Sequence, residues 1–279
     1  MAMNGFSLNA QLKAGLKSSS FQKAILDIVD GWRSRNLWLA MGIQDIRKRY
    51  RRSVLGPFWL TISMGVMIAA MGLVWGVIFN QQMDEYLPYL CAGFVLWGFI
   101  SPLLLEGATA FIVAEGMIKQ LNAPLSIYVY GVVWRNFVIL LHNVWILFLV
   151  QMWYGKLPGW VALTSVPGIA LLALNGMWVG LLLGVLSARF RDVPQIVANI
   201  IQVMFFVTPI IWKPSMMPDR AIILDVNPFY YALSIVRDPL LGRAPSIEHW
   251  LIMIAITICG WACALVAYSV YRWRLAYWV

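Results

Sequence analysis

The densest group of chemically active side chains lies in the stretch DIRKRYRRSVLGPFW, residues 45–59, just before a long apolar run. Five basic residues fall within six positions there: Arg47, Lys48, Arg49, Arg51 and Arg52. On a helix, residues four apart share a face, so these side chains form one positive arc. Two interpretations stay open. The arc anchors the chain to anionic lipid, or its arginine forks clamp a phosphate-bearing ligand.

The composition places this basic stretch beside a membrane. Of the 279 residues, 61% are hydrophobic and 12% are charged, and the mean hydropathy is +0.75. A soluble domain carries about twice that fraction of charge. The alternating pattern of barrel strands is absent, and lipid offers no partner to unpaired backbone groups, so we expect helices. The sequence therefore predicts an all-α, polytopic membrane protein.

Six apolar runs are long enough to cross about 30 Å of hydrocarbon, which takes about 20 helical residues. The predicted spans are residues 54–79, 86–105, 125–155, 157–188, 193–212 and 250–271. The third run is free of charge only from Asn136, so the start of that span stays open between Leu125 and Asn136. The chain thus divides into an N-terminal segment, residues 1–53, and a six-helix transmembrane domain, residues 54–279.

The distribution of basic residues predicts the orientation, because lysine and arginine collect on the cytoplasmic side. The first 53 residues hold ten of the 21 basic residues, whereas residues 80–85 hold none. We expect both termini in the cytoplasm, and the net charge of +9 needs no nucleic acid to explain it. The three cysteines fall inside predicted spans, which disfavours disulfides and a metal site.

Two stretches outside the spans have helical periodicity. From Phe21 to Trp32, apolar residues recur as in a helix lying along a membrane surface. The polar face expected for this helix carries Lys23, Asp27, Asp30 and Arg33. Residues 106–126 are too charged to cross and too apolar for a free loop. A short cytosolic amphipathic helix and a packed intracellular loop both fit them.

The loop between the fifth and sixth spans, residues 213–249, holds short apolar stretches broken by five prolines. Apolar segments too short to cross are typical of interfacial or re-entrant helices. We expect two such helices, near Pro218–Leu224 and Pro228–Val236, dipping into the outer leaflet. An amphipathic cap outside the membrane is the alternative.

Few side chains inside the predicted spans are suited to chemistry, and we expect no catalytic residue. No G-x-x-x-x-G-K-[ST] loop occurs, so the chain is not expected to hydrolyse nucleotide alone. Arg135 either marks the cytoplasmic edge of the third span or lines an aqueous path together with His142. Trp97, Trp145 and Trp178 lie well inside spans, where indole rings suit either a sugar passage or helix packing.

Three stretches are similar to a known family. DIRKRYRRSVLGPFW, ARFRDVPQIVANIIQVMFFVTPIIW and NPFYYALSIVRDPLLGRAP resemble the permease subunits of polysaccharide-exporting ABC transporters of the type-2 exporter class. The resemblance runs from about Asp45 to the C-terminus. The stretch GFVLWGFISPLLLEGATAFIVAEGMIKQ is most similar to the lipopolysaccharide O-antigen branch. The capsule and teichoic-acid branches stay open.

The resemblance implies a channel subunit and not an enzyme. Two copies would pair as a homodimer in the bacterial inner membrane, each bound to a separate ATPase subunit. ATP and Mg would belong to that ATPase, and this chain would carry no cofactor. The implied cargo is a polysaccharide on undecaprenyl diphosphate, moved from cytoplasm to periplasm.

The resemblance also implies roles for particular residues. The cargo diphosphate would be held by Arg47, Arg49, Arg51 and Arg52. An interface helix maps onto about Phe21–Trp32, and a coupling helix onto residues 106–120. The ATPase would be faced by Phe111, Glu115, Ile118 and Lys119. The outer gate would contain Pro228, Phe229, Tyr230 and Tyr231. The channel lining would include Trp97, Arg135, His142, Trp145 and Trp178.

Two other classes of protein fit the sequence less well. A membrane-bound enzyme acting on polyprenyl-linked sugars needs a carboxylate or histidine constellation at the membrane face, and Glu106 and Glu115 alone do not supply one. A secondary transporter is disfavoured because no carboxylate falls mid-span and the two halves show no obvious repeat.

Overall fold

A computed structural model describes residues 20–51, 55–56, 58–216 and 222–279, with residues 49 and 50 described in their backbone only. Throughout these ranges the regular structure is helical, with no strand. The helices are α1 (residues 20–33), α2 (Arg35–Tyr50), α3 (Phe58–Ile78), α4 (Met83–Val113), α5 (Glu115–Gln120), α6 (Ser126–Trp153), α7 (Ser165–Arg189), α8 (Val193–Val207), α9 (Ile222–Asp225), α10 (Pro228–Leu240), α11 (Ile247–Tyr271) and α12 (Leu275–Trp278). Short 3₁₀ turns cover Trp160–Thr164, Pro214–Met216 and Arg272–Arg274.

Among the described residues, five helices are long and apolar enough to cross a membrane, namely α3, α4, α6, α7 and α11. This agrees with the predicted polytopic membrane protein. In the most apolar 18-residue stretch of α4, 72% of the residues are buried, against 17% in the corresponding stretch of α3. The helix α4 therefore forms the centre of the bundle. We call the end that carries α2 and α5 the basic end. The opposite end, where α4 begins and α6 ends, is the distal end.

The predicted fifth span, residues 193–212, is shorter in the structure. Its helix, α8, has 15 residues, or about 22 Å of helix, against about 30 Å of hydrocarbon. A residue that precedes a proline is driven out of the helical conformation. Thr208 precedes Pro209 and has an extended backbone, and the chain continues as a non-helical segment, residues 208–212. A sixth full helical span is therefore not confirmed.

Small residues bring α4 and α7 into direct backbone contact. A Cβ atom placed on Gly107 would lie 3.0 Å from the Cα atom of Gly180, and one placed on Gly180 would lie 2.7 Å from Val129 of α6, so neither residue has room for a side chain. Gly176 and Gly184 of α7 pack closely against Leu103 and Phe111 of α4. Helix backbones approach this closely in lipid where small residues recur four apart. The glycine face of the fourth span is thus a helix contact, as its spacing predicts.

The N-terminal helices pack against the basic end of α6. Trp38 of α2 lies edge-on to Tyr130 of α6, with ring centroids 6.1 Å apart. In α1, Ala24 and Asp27 are buried, whereas the apolar face predicted from periodicity stays exposed, at Phe21, Ile25, Val29 and Trp32. The expectation that Asp27 belongs to the solvated polar face is wrong, since it is 4% exposed.

The helix α10 runs from the interior of the bundle toward the distal end. Near its start, the ring of Phe229 lies 5.5 Å from that of Trp97, at the midpoint of α4. Farther along, the Ile235 carbonyl oxygen lies 2.9 Å from the position of a Cβ on Gly168, near the start of α7. This path fits the re-entrant interpretation better than an outer cap. Pro218, expected to begin the preceding helix, lies outside the described residues, and α9 covers Ile222–Asp225.

Candidate functional site

The basic segment lies at the C-terminal end of α2, where Arg47, Lys48 and Arg51 are exposed. Ion pairs among the described residues involve none of these three side chains. Their charge is therefore available to lipid or to an anionic ligand. The side chain of Arg49 and the whole of Arg52 lie outside the described residues, so their part in the segment stays a prediction.

Arg135 connects the basic segment to the transmembrane bundle. Because α6 begins at Ser126, Arg135 lies within the helix and not at its edge. Its guanidinium donates to Asp45 of α2 and to Glu106 of α4, each at 2.6 Å. Asn136 donates to the same Glu106 oxygen at 2.7 Å. Arg135 is thus held by two carboxylates, which makes it a positioning residue for α2 and not a free cation in a channel wall.

The predicted coupling segment consists of the end of α4 followed by the six-residue α5. Glu115 and Lys119 of α5 are exposed and pair at 2.6 Å. The hydrogen bond from Lys119 lowers the pKa of the Glu115 carboxyl below its ordinary value. Phe111 is fully buried and Ile118 is 9% exposed, which corrects the outward placement expected for both. The surface available to a partner includes Glu115, Lys119 and the exposed Met117.

Asp27 joins α1 to the start of α6 and the end of α11. Its carboxylate accepts hydrogen bonds from the backbone N–H groups of Leu125 and Ser126, both at 3.0 Å, and so caps α6. The Tyr268 hydroxyl donates to it at 2.7 Å. Arg272 donates through Nε at 3.0 Å and Nη2 at 2.8 Å. The Asp27 side chain is fully buried, and its carboxylate accepts five hydrogen bonds. We call Asp27 a saturated joint, because its hydrogen-bonding capacity is filled by groups from α6 and from the end of α11.

The predicted gate residues begin α10. Asn227 caps this helix by accepting a hydrogen bond from the Phe229 N–H at 2.9 Å, and its amide donates to the Thr208 hydroxyl at 3.0 Å. Pro228 takes the first helical position, where no N–H is needed. Tyr231 donates to the last carbonyl of α9 at 2.8 Å. The start of α10 is therefore tied to both α9 and the end of α8.

Three side chains satisfy the backbone of the non-helical segment 208–212. Tyr86 donates to one of its carbonyls at 2.7 Å, and Tyr89 reaches two others at 2.9 and 3.0 Å. Arg237 of α10 donates to the Pro209 carbonyl at 2.6 Å. Irregular backbone at membrane depth is stable only where protein groups bond it. These donors explain how the helix can end early inside the bundle.

Arg237 is itself one of the largest fully buried side chains, at 2% exposure. Its guanidinium stacks on the Tyr89 ring, 4.3 Å from the centroid. Its Nε has no hydrogen-bond partner among the described residues, and the nearest carboxylate oxygen, on Asp238, is 3.9 Å away. Arg237 is therefore buried but only partly bonded.

The aromatic and histidine side chains expected to line a channel have different surroundings. Trp97 is buried against α8 and α10. Trp178 packs against Gly260 of α11, and its indole N–H donates to Asn175 of its own helix at 2.8 Å. These two contacts are helix packing. Trp145 is 64% exposed, and His142 is half-buried with Nδ1 at 2.8 Å from the Val138 carbonyl.

The helix α8 carries a polar stripe that the sequence reasoning missed. Gln195, Asn199 and Gln202 are exposed and recur at positions i, i+4 and i+7, so they share one face. Gln195 donates to Asn199 at 3.2 Å. Exposed amides on an apolar helix are unfavourable against lipid, so this face suits a second copy or an aqueous passage. The sequence alone could have predicted this stripe, because three amides recur at helical spacing in a run without charged residues.

These sites are suited to binding and positioning. In the part of the chain that the structure describes, no three His, Cys, Asp or Glu side chains come together as a metal site would require. Cys91 is buried, and Cys259 and Cys263 are exposed on the apolar helix α11.

Comparison with known proteins adds a family to these geometric features. A sequence model described as ABC-2 type transporter matches residues 36–241, from α2 through α10. The chain is similar to the O-antigen export system permease protein RfbA of Myxococcus xanthus, at 22% identity over 229 residues, covering 80% of this chain and 88% of that protein. Two proteins of the same name from Klebsiella pneumoniae share 24% identity over 226 residues (78% and 86% coverage) and 22% over 225 residues (78% and 87%).

Proposed function

Because the chain belongs to the ABC-2 type transporter family, we propose that it is the permease subunit of an exporter of lipid-linked polysaccharide. O-antigen is the class of cargo, since the relatives described above are named for its export. The observation that carries the proposal is the group of exposed, unpaired basic side chains at the end of α2, next to the charged cluster around Arg135. That arrangement suits a diphosphate on a lipid carrier.

The basic segment binds the diphosphate of an undecaprenyl-diphosphate carrier. Arginine forks match phosphate oxygens in bidentate fashion, and Arg47 and Arg51 lie one helical turn apart. The ion pairs that Arg135 makes with Asp45 and Glu106 hold α2 against α4 and α6. The clamp is therefore carried on a positioned helix rather than on a free tail.

A second copy of the chain completes the passage. The amide stripe on α8, formed by Gln195, Asn199 and Gln202, faces the passage in each copy. Amides both donate and accept hydrogen bonds, as sugar hydroxyls do, so they suit a sliding glycan. The homodimer also removes these exposed amides from contact with lipid.

A separate ATPase, which holds ATP and Mg, drives the movement from the basic end. It docks on α5 at Glu115, Met117 and Lys119. Because α5 follows α4 after one residue, displacement of α5 pulls on the central helix of the bundle. The joint at Asp27 carries the same displacement to α6 and α11. Both termini lie in the cytoplasm, and the start of α10, inside the bundle, forms the gate through which the glycan passes toward the periplasmic side of the inner membrane.

The proposal is tested by removing the unpaired charge. In a strain that lacks the gene, wild type restores surface polysaccharide, whereas the double variant R47A/R51A abolishes it while still co-purifying with the ATPase. Arg35→Ala is the matched control, because Arg35 is exposed on the opposite end of α2. The same experiment at Arg49 and Arg52 tests the remaining predicted residues.

Three outcomes contradict parts of the proposal. Normal surface polysaccharide in R47A/R51A would reduce the basic segment to a lipid anchor. Failure of wild type to restore the polysaccharide would reject export of that cargo. Transport by the purified chain alone, driven by an ion gradient in liposomes, would reject the separate ATPase.

A further inference from the structure

A cavity of about 610 Å³ lies at the distal end. Its wall is formed by the start of α4, the end of α6, the turn after residue 212 and the C-terminal half of α10. The volume falls within the range of small-molecule sites, about 300–1,000 Å³. The cavity reaches the surface at Glu85 and Arg243, which are both exposed.

The charges of the wall are nearly balanced, and most of them are paired. Lys156 bonds to Asp84 at 2.7 Å, and Lys213 lies 3.7 Å from Glu85. A simple anion or cation would meet side chains of its own sign in such a wall. An apolar ligand would displace water from the charged side chains without forming hydrogen bonds to replace it. A neutral, polyhydroxylated ligand fits better, because each hydroxyl both donates and accepts hydrogen bonds.

Arg237 gives the cavity an unsatisfied donor in its inner wall. The side chain is 2% exposed, and its Nε has no hydrogen-bond partner among the described residues. A buried donor without a partner is uncommon in proteins, and the cavity that Arg237 lines is the adjacent space from which an acceptor would approach it. The half-buried Tyr230 adds an aromatic ring to the same wall, which suits the C–H face of a sugar.

We infer that this cavity binds a short saccharide segment of the exported glycan where it emerges at the distal end. The inference rests on the proposed export function and adds a sugar-binding place within a single copy of the chain. Its hydroxyl groups bond to the ion pairs of the wall and to Arg237. Occupation at the exit holds the emerging segment and so disfavours its return.

The test fills the cavity without breaking its ion pairs. Ala244 lines the cavity from an exposed position, so Ala244→Trp inserts bulk there. Leu157→Trp is the matched control, because Leu157 is 59% exposed at the same end and is absent from the cavity wall. The full chain in lipid nanodiscs is titrated with oligosaccharides released by mild acid from the surface polysaccharide of its host, and binding is read by saturation-transfer difference NMR.

Wild type and Leu157→Trp should bind these oligosaccharides alike, while Ala244→Trp weakens binding about tenfold or more. Arg243→Trp fills the cavity from a second exposed position, in case Ala244→Trp fails to fold. Equal saturation transfer to the filled variants and wild type would overturn the inference. So would equal competition by glycerol at the same hydroxyl concentration, which would make the cavity a merely hydrated recess.

The export assay separates this inference from the proposed function. If wild type restores surface polysaccharide but the filled variants bind as well as wild type, only the saccharide site is rejected. If wild type restores no surface polysaccharide, the export function itself is rejected.

Discussion

Two buried charged side chains at opposite ends of the bundle are bonded to very different extents. At the basic end, Asp27 accepts five hydrogen bonds, two from backbone N–H groups and three from Tyr268 and Arg272. At the distal end, Arg237 donates to one carbonyl and leaves its Nε without a partner in the described part of the chain. Both side chains are buried, so the contrast is in bonding and not in exposure.

This contrast suggests different roles for the two residues: Asp27 holds helices together, whereas the surroundings of Arg237 can rearrange. Removing a saturated buried charge leaves all of its partner groups unbonded at once. A buried charge that lacks a partner can exchange bonds at lower cost, because part of its bonding is already missing. We therefore infer that the basic end transmits movement and that the distal end changes shape or takes up a ligand.

The largest effect is expected for Asp27→Ala. This change leaves two N–H groups at the start of α6, the Tyr268 hydroxyl and the Arg272 guanidinium without their shared acceptor. We expect a loss of about 3–5 kcal/mol in the free energy of unfolding. Thermal unfolding in detergent, followed by tryptophan fluorescence, measures it. Asp27→Asn keeps one acceptor oxygen and should lose less, and equal melting of Asp27→Ala and wild type would remove the basis of the comparison.

A smaller effect is expected for Arg237→Met. Methionine fills similar space without a charge, and Tyr89 still donates to the Pro209 carbonyl that Arg237 bonds. We expect a loss of about 1–3 kcal/mol, measured by the same unfolding experiment. Tyr89→Phe, alone and combined with Arg237→Met, supplies a double-mutant cycle for that shared carbonyl. If Arg237→Met lost more free energy of unfolding than Asp27→Ala, the proposed difference between the two residues would be wrong.

The smallest effect is expected for Glu115→Gln, which serves as an exposed reference. The pair with Lys119 lowers the pKa of Glu115 in the folded chain, so its contribution is present above the unfolded-state pKa. That contribution is lost as the pH falls through the lowered folded-state pKa. Because the pair is exposed, the melting temperatures of variant and wild type should be nearly equal at neutral pH and converge in acid. A large difference between the two melting temperatures at neutral pH would show that the exposure of a charged side chain does not predict its contribution to stability.

Hydropathy alone located most of the long apolar helices. The first predicted span, residues 54–79, contains α3 (Phe58–Ile78). Such a helix is easy to predict, because helices that face lipid have an uninterrupted apolar sequence. The fifth was overextended, since apolar residues continue past Val207 although Pro209 ends the helix. A signal was present in the Thr208–Pro209 pair, but hydropathy does not register backbone hydrogen bonding.

Side-chain placement at the candidate sites was less predictable, because it depends on partners distant in the chain. Asp27 has the spacing of a polar-face residue, yet its partners lie in α6 and α11. The start of α6 was left open for the same reason, since its cap comes from α1. Phe111 was placed on an outward surface, but it packs against Gly184 of α7.

The contact between Gly107 and Gly180 limits how this bundle can move. At this point the two backbones touch with no side chain between them, and the α7 glycines on either side pack closely against α4. The two helices cannot slide or separate without losing dense contact, so we infer that they move together as one rigid pair when α5 is displaced. Rearrangement within each copy therefore falls to the helices outside this pair, such as α3 and α8.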